Sequence, residues 1–314
     1  MLREKAGPIA LVACLLAVIA GFGYLAGHGH AKAPPPEALL PVSGANASFE
    51  YPPASGWGPA TQPLGIAGLA LGQPLVLGPH GAAAHAGLIA GTLSGSAPSP
   101  LPTSFLAQLH GLPKTEVVAL ANTEAYRYSG FQTASTAYTL YVIPSSGAVE
   151  EGVACYAPLT QAREMQRCEA IASTVTVTYV NGAAEVTNLT PEATYAHEIN
   201  AAISQVDGLR GALGSLGEHA SASTIARVSS QIANGYTAAH ASLASVQPPG
   251  VVESAHAALL SALASAAAAY SSLAQAASSG DEGGYAVARG HAQQAEGGLD
   301  SVLASFSLLG YKQP

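Results

Sequence analysis

The chain has 314 residues, only 10% of them charged, and a formal net charge of −8. Lysine and arginine together number 11, so the sequence offers no basic patch for nucleic acid phosphates or anionic lipid headgroups. It contains no G-x-S-x-G elbow, no P-loop and no H-E-x-x-H motif. We therefore predict no catalytic residue, no cofactor and no metal, and no nucleic acid partner.

The N-terminal segment predicts where the protein resides. A short head, residues 1–7, precedes the apolar stretch 8–27, which is about long enough for a helix to cross the core of a bilayer. Arg3 and Lys5 favour a cytoplasmic head, because positive charge is retained on that side. The sequence thus predicts a single-pass protein of the cell membrane, with the bulk of the chain extracytoplasmic.

Two processing signals compete with an uncleaved anchor. Ala31-Lys32-Ala33 matches the small-residue pattern before a signal peptidase site, but Pro34 follows it and disfavours cleavage. The segment Leu11-Val12-Ala13-Cys14 resembles a lipobox, yet mostly apolar residues continue after Cys14, where a lipoprotein would become polar. The uncleaved anchor is the favoured interpretation, and the other two stay open.

Residues 28–47 lack a sustained helical or strand period. The run Pro34-Pro35-Pro36 favours an extended polyproline conformation, which is stiff. We predict a Pro-rich linker that holds the folded part of the chain away from the membrane.

Residues 48–181 predict a small α/β domain with an antiparallel sheet. Short runs rich in Val, Ile, Thr or Tyr are bounded by Gly, Pro, Asn or Ser, as is typical of strands. Helical spacing predicts two helices, at 101–109 and 160–173. The predicted strands are 48–51, 74–77, 86–93, 115–121, 125–130, 138–143 and 149–156.

Cys155 and Cys168 are the only cysteines outside the apolar N-terminal stretch. In an oxidising compartment such a pair predicts a structural disulfide, with two buried free thiols or a reactive site as the alternatives. Cys155 falls at the end of a predicted strand and Cys168 on the following predicted helix. A bond between them would attach that helix to the sheet.

The opening of this segment, Phe49-Glu50-Tyr51-Pro52 followed by Gly56-Trp57, resembles the PsbP/Mog1-like α/β sandwich superfamily. The resemblance covers about residues 48–181 and implies a curved antiparallel sheet with helices against it. It also implies a role in binding partner proteins or assisting assembly rather than catalysis. An extra Pro53 and the insertion Ala54-Ser55 depart from the family's phrase.

Residues 191–310 predict an up-down-up-down four-helix bundle, reached through a linker at 182–190. Four segments carry apolar or small residues at alternating spacings of three and four. The predicted boundaries are the start at Thr190-Pro191-Glu192, the break at Pro248-Pro249 and the turn at Gly280-Asp281. The overall prediction is an α+β protein: a transmembrane helix, a small sheet domain and then this bundle.

Three histidines of the predicted bundle, His197, His240 and His256, fall near the same end of it. Glu253 and His256 form one E-x-x-H step, but a di-metal bundle needs two. Whether the three side chains converge is not determined by the sequence, and we predict no metal. Other ionisable residues have no spacing typical of a catalytic triad or carboxylate pair; they include His80, His85, His110, Glu150 and Glu151.

Two folded modules on a membrane stalk, without recognisable chemistry, predict a binding or scaffolding protein of the bacterial cell envelope. Its partners would be the membrane, through the anchor, and an envelope protein. The alternatives are a ligand-sensing ectodomain that acts with a membrane partner, and a hydrolase or metal-dependent enzyme with a site assembled between the domains.

Overall fold

The computed structural model describes residues 38–60, 65–81, 85–94, 98–132, 135–145, 149–179, 186–214 and 220–312. The predicted head 1–7, the anchor 8–27 and the linker up to residue 37 lie outside these ranges, as does the start of the predicted linker 182–190. The described residues belong, apart from Ala38, to one compact unit, Leu39–Pro314.

The protein is α+β with antiparallel sheets, as predicted. A three-stranded sheet has the order β1-β2-β10, and a seven-stranded sheet has the order β3-β4-β5-β9-β8-β7-β6. The strands are β1 Leu40–Ser43, β2 Ala47–Tyr51, β3 Trp57–Pro59, β4 Leu71–Pro79, β5 Gly87–Ser94, β6 Lys114–Ala119, β7 Glu124–Gln132, β8 Thr136–Ile143, β9 Val149–Pro158 and β10 Thr176–Val177.

Three of these strands were not predicted. Strand β1 lies inside segment 28–47, which the sequence had assigned to a linker, and it pairs with β2. Strand β10 has only two residues and pairs with the other edge of β2, and β3 pairs with β4. Such short strands carry too few residues for a period, so their partners across the sheet decide the conformation.

Six α-helices are found in the described part of the chain. The predicted helix 101–109 is regular only over four residues, because Gln108 and Leu109 donate their backbone N–H groups three residues back rather than four. The helices are α1 Thr103–Leu106, α2 Ala162–Ala172, α3 Ala193–Gly214, α4 Ala222–Ala244, α5 Glu253–Ser279 and α6 Glu282–Leu308.

The four long helices follow one another, and each packs against the next. Their ends carry the predicted signals. Gly280 closes α5 with a left-handed φ of 71°, and the Asp281 carboxylate accepts the N–H of Gly284 at 2.9 Å to cap α6. A tight, doubly capped turn of this kind holds α5 and α6 side by side.

Both faces of the large sheet are covered. On one face, α2 and the small sheet enclose a core that includes Phe49, Trp57 and Ile171. On the other face, Tyr126 and Tyr128 belong to a core that continues into the four long helices. Alternate residues of β7 therefore pack into two different cores, because successive side chains of a strand point to opposite faces of the sheet.

The sheet and the long helices are also joined by hydrogen bonds. The Tyr128 hydroxyl donates to the carbonyl of Leu308 at 2.8 Å, near the end of α6. The N–H of Leu189, just before α3, donates to Glu124 Oε2 at 2.8 Å. Both ends of the helical segment are thus attached to strand β7.

Candidate functional site

The predicted disulfide between Cys155 and Cys168 is present. Cys155 lies on β9 and Cys168 on α2, with their Cα atoms 5.7 Å apart. Both residues are fully buried in the core between α2 and the large sheet. A buried bond that attaches a helix to a sheet is a structural element, and the sequence located both ends of it correctly.

Polar contacts reinforce the same attachment. The Arg127 guanidinium on β7 donates to Glu116 Oε2 at 2.9 Å and to Glu169 Oε1 on α2 at 2.8 Å. The indole N–H of Trp57 donates to Glu164 Oε2 at 2.9 Å, also on α2. Helix α2 is therefore held by charged groups as well as by the disulfide, and these carboxylates have structural partners.

The three histidines of interest have different environments. His197 is exposed, His240 is half-buried, and only His256 is buried. The ring Nδ1 of His256 lies 2.9 Å from the hydroxyl of Tyr195, and burial lowers the pKa of this histidine. Across the described ranges, no group of three or more His, Cys, Asp or Glu side chains is arranged to hold a metal ion.

Glu150 and Glu151 have environments that sequence spacing did not predict. Because they are adjacent on β9, their side chains point to opposite faces of the sheet. Burial raises the pKa of each carboxyl to about 7. The sequence feature that could have indicated this burial is the pair of adjacent acids within an otherwise apolar strand. The exposed His80, His85 and His110 have no comparable burial.

A polar cluster lies within the long helices. The hydroxyl of the fully buried Tyr236 donates to Glu296 Oε1 at 2.7 Å, and Arg210 forms an ion pair with the same carboxylate. The rings of Tyr236 and Tyr270 stack with centroids 5.8 Å apart. Burial, followed by Glu296, raises the pKa of Tyr236. The cluster joins α3, α4, α5 and α6, so we assign it to stability.

The outer side of the last helix pair carries a surface of a different kind, a shallow groove of about 620 Å³ between α5 and α6. We call it the α5/α6 groove. His291 is its one ionisable side chain among the described residues. The groove is lined by Ala258, Ser261, Ala262, Ser265, Ala268, Ala269, Ser272, His291, Gln294, Ala295, Gly298 and Val302.

Two of the three serines in the α5/α6 groove use their hydroxyl protons within the helix. Ser265 donates its hydroxyl to the carbonyl of Ser261 at 2.9 Å, and Ser272 donates to the carbonyl of Ala268 at 3.1 Å. These bonds within the helix use the hydroxyl protons. The surface offered to a partner is consequently made mostly of methyl and methylene groups.

The two walls of the groove have the same spacing. On α5, Ser261 is followed at intervals of four, three and four by Ser265, Ala268 and Ser272; on α6, His291 is followed in the same way by Ala295, Gly298 and Val302. Such positions form one stripe on each helix. Val287, one turn before His291, is 60% exposed and extends the second stripe. The Ser and Ala residues of the α5 stripe, with Ala295 and Gly298 on α6, leave room for a third helix to approach the middle of the groove.

Helix α5 is unusually apolar. Together with the turn before it, Gly250–Ser279, it is the one helix in the described ranges that is long and apolar enough to cross a membrane, although only 39% of its most apolar window is buried. Three of its four leucines, Leu259, Leu263 and Leu273, are buried among the other long helices, and Leu260 is half-buried against the same core. Alanines contribute most of the apolar surface that α5 leaves exposed, and much of that surface faces the groove.

Comparisons with protein-family models and with curated proteins find no match. Among solved structures, a crystal structure from Bacteroides thetaiotaomicron, determined at 1.50 Å resolution, shares 13% identity with this chain. The alignment covers 70% of this chain and 73% of that chain, with a TM-score of 0.26. A similarity at this level supports no argument about fold or function.

Proposed function

We propose that the protein is a non-catalytic binding or scaffolding protein of the bacterial cell envelope, which binds an envelope partner through the α5/α6 groove. The observation that carries this proposal is the groove itself: a shallow channel between two helices, lined mainly by Ala, Ser and Gly, with His291 as its one ionisable side chain among the described residues. Such a surface can bury apolar area against a partner while few polar groups lose contact with water.

The chemistry of the groove favours a helix as the bound element. Helix-in-groove recognition places a stripe of side chains at helical spacing into an apolar channel. The small residues of the α5 wall, with Ala295 and Gly298 on α6, allow a partner backbone to come close. A membrane surface fits less well, because surfaces that bind bilayers combine Lys or Arg with Trp, Phe or Leu.

Three further parts of the proposal come from the sequence. Residues 8–27 are the membrane anchor, which leaves the groove on the extracytoplasmic side. The sheet region is a PsbP/Mog1-like sandwich, a proposal supported by α2 packing against an antiparallel sheet. The long helices form an up-down-up-down bundle. In support, Tyr195 near the start of α3 lies beside His256 near the start of α5 and beside Phe306 near the end of α6.

The test is photo-crosslinking in cells with the full-length chain. A photoreactive amino acid replaces Ser265 in the groove or, as a matched control, the exposed Ala201 on α3. Each photoreactive variant is examined alone and in combination with Ala268→Glu, which places a charge in the groove. Ala201→Glu is the control for adding a carboxylate to an exposed helix position, which costs little stability.

The proposal predicts an adduct with an envelope protein from position 265 and not from position 201. That adduct is lost in Ala268→Glu and retained in Ala201→Glu, while circular dichroism of the purified variants is unchanged. Equal adducts from both positions, an adduct that survives Ala268→Glu, or labelling of lipid alone would overturn the groove as the binding surface.

A further inference from the structure

Strand β6, Lys114–Ala119, is the last strand on one side of the seven-stranded sheet, so only one of its two edges is paired. Its residues are exposed or half-buried along the whole strand. The strand at the opposite end of the sheet, β3, has three residues and ends at Pro59. β6 is therefore the longer open edge of this sheet, and we call its unpaired side the β6 edge.

The hydrogen bonds of the sheet determine which backbone groups lie on the β6 edge. In the turn after β6, the N–H of Leu120 donates to the carbonyl of Thr123 at 2.8 Å, so the backbone groups of Leu120 point toward β7. Because this direction alternates along a strand, the N–H and C=O groups of Thr115, Val117 and Ala119 point away from β7. Nothing in the described part of the chain accepts a hydrogen bond from these three N–H groups.

Two charged side chains of opposite sign lie on one face of β6. Lys114 Nζ is 2.6 Å from Glu116 Oε1, and the lysine side chain is 73% exposed. Charges on an edge strand usually prevent it from pairing with another strand. A positive and a negative charge two residues apart are an exception for one partner, a second copy in antiparallel orientation, because each charge then lies opposite its counterpart.

We propose that the β6 edges of two copies pair antiparallel, with Thr115 opposite Thr115, and form a dimer whose large sheet runs through both chains. In this register Lys114 of each copy lies opposite Glu116 of the other. Leu112, which is 51% exposed, lies opposite the half-buried Val118. Both charges and both apolar side chains thus gain a suitable neighbour.

The neighbouring registers are less favourable. With Glu116 opposite Glu116 of the second copy, two like charges would face each other, which destabilises a strand pair. With Val117 at the centre, Glu116 would lie opposite Val118, and its carboxylate would have no cation on the second copy. Charge complementarity therefore selects the register centred on Thr115.

The backbone supplies hydrogen bonds in this register. The N–H of Thr115 in each copy donates to the Thr115 carbonyl of the other, and the N–H of Val117 donates to the carbonyl of Pro113. Pro113 has no N–H to return, but proline is tolerated at the start of a strand. Four backbone donors that have no acceptor among the described residues, two from each copy, are satisfied in this way.

Thr115 provides a second, independent observation. Its Oγ1 is buried, and no described residue forms a hydrogen bond with it. In this register the two Thr115 side chains are neighbours on the same face of the sheet, and cross-strand threonine pairs can share a hydrogen bond. The second copy thus offers a partner to a hydroxyl that has none within one described chain. No residue that lines the α5/α6 groove belongs to the β6 edge, so the two surfaces are separate.

The first test is disulfide formation between copies of the full-length chain in a non-ionic detergent, with Cys14→Ala to remove the cysteine of the N-terminal stretch. Opposed residues of a hydrogen-bonded pair have Cα atoms about 5.5 Å apart, which a disulfide can bridge. Under mild oxidation, Thr115→Cys should form a covalent dimer. Ala119→Cys is the matched control on the same strand and should stay monomeric, because its two copies would lie roughly 27 Å apart.

The second test reverses the charges and measures self-association by sedimentation in the same detergent. The wild type should have a protein mass of twice the 31.3 kDa chain at micromolar concentration. Lys114→Glu should raise the dissociation constant about tenfold, and adding Glu116→Lys should restore the dimer by exchanging the two signs. Arg163→Glu, an exposed position on α2, is the control for charge reversal and should have no effect.

Circular dichroism of each variant checks that it is folded. Lys114 is well exposed, so Lys114→Glu should fold, and the cysteine pair decides the register even if the double charge variant does not. A monomeric wild type, a dimer that Lys114→Glu leaves unchanged, or a disulfide that forms at position 119 as readily as at position 115 would overturn the proposal.

Discussion

At the scale of single residues, burial separates side chains that look alike in the sequence. His256 falls on the apolar stripe of its helix, and the structure buries it against Tyr195; His197 and His240 lie off that stripe and stay more exposed. The helical period is sufficient to predict which of these three histidines is buried. It says nothing about Glu150 and Glu151, whose environment depends on elements distant in the sequence.

The two glutamates predict how stability depends on pH. Burial raises the pKa of both carboxyls from 4.5 to about 7. The folded state therefore binds more protons than the unfolded state between those values, and stability falls as the pH rises through them. The Tm at about pH 5 should exceed the Tm at about pH 8 by several degrees, the loss being of order 2 kcal/mol per buried carboxyl.

Glutamine at these positions should reduce that dependence. Gln is neutral at every pH, so Glu151→Gln should be more stable than the wild type at about pH 8 and should show a shallower pH profile. The exposed Glu253→Gln is the control and should leave the profile unchanged. A wild-type Tm that is constant across the range, or that increases with pH, would contradict the assigned burial.

At the scale of elements, several regular periodic segments were predicted with nearly correct ends, whereas the nine-residue β4, interrupted by a bulge, was predicted only over 74–77. The helix predicted at 160–173 is Ala162–Ala172, and the strand predicted at 138–143 is Thr136–Ile143. Strands β1 and β10 were missed because two to four residues show no period. Their conformation comes from pairing with β2, which is tertiary information.

The attachment of α2 to β9 predicts the effect of removing the disulfide. Replacing Cys155 and Cys168 by alanine opens a loop of 13 residues in the unfolded chain. We expect the double variant to lose about 3 kcal/mol, seen as a lower midpoint in urea unfolding. The control is wild type kept oxidised. An equal midpoint would mean that α2 is held by its Arg127 and Trp57 contacts alone.

The polar cluster among the long helices makes a separate prediction. Tyr236→Phe removes the hydroxyl that donates to Glu296 and leaves that carboxylate less well satisfied. We expect a loss of about 1 to 2 kcal/mol in urea unfolding. Tyr285→Phe, a half-buried tyrosine on α6, is the matched control and should cost less. Equal losses in the two variants would assign the cluster no special role.

At the scale of the whole molecule, the main feature is the continuous core between the sheet and the long helices. Tyr126 and Tyr128 on β7 belong to the same cluster as Tyr195 and Leu308. The sequence placed a linker at 182–190 and could not say whether the two parts associate. That depends on the tyrosines of β7 meeting the ends of α3 and α6, which are far apart along the chain.

The shared core predicts a single cooperative unfolding transition. Trp57 reports on the sheet, and far-ultraviolet circular dichroism reports mainly on the long helices. The two signals should change at the same urea concentration. Tyr128→Phe, which removes the bond to the Leu308 carbonyl, should lower both midpoints together. Two separated transitions in the wild type would show that the sheet and the helices are energetically independent.

The α5/α6 groove could not be predicted from the sequence. Its alanines and serines are visible there, but which face of a helix pair stays exposed depends on how the other faces pack. Small residues are equally suited to a close-packed interior and to a surface that receives a partner. The structure distinguishes these uses by leaving Ser265 and Ala268 exposed while Leu263 and Ala266 are buried.

The most direct test of the binding account is protection of the groove in living cells. Ser265→Cys and, as the control, Ala201→Cys are labelled with a maleimide in intact cells and again after purification of the full-length chain. We predict that position 265 is protected in cells and reactive once purified, while position 201 reacts equally in both. Equal reactivity of position 265 in cells and after purification would contradict the claim that a partner occupies the groove.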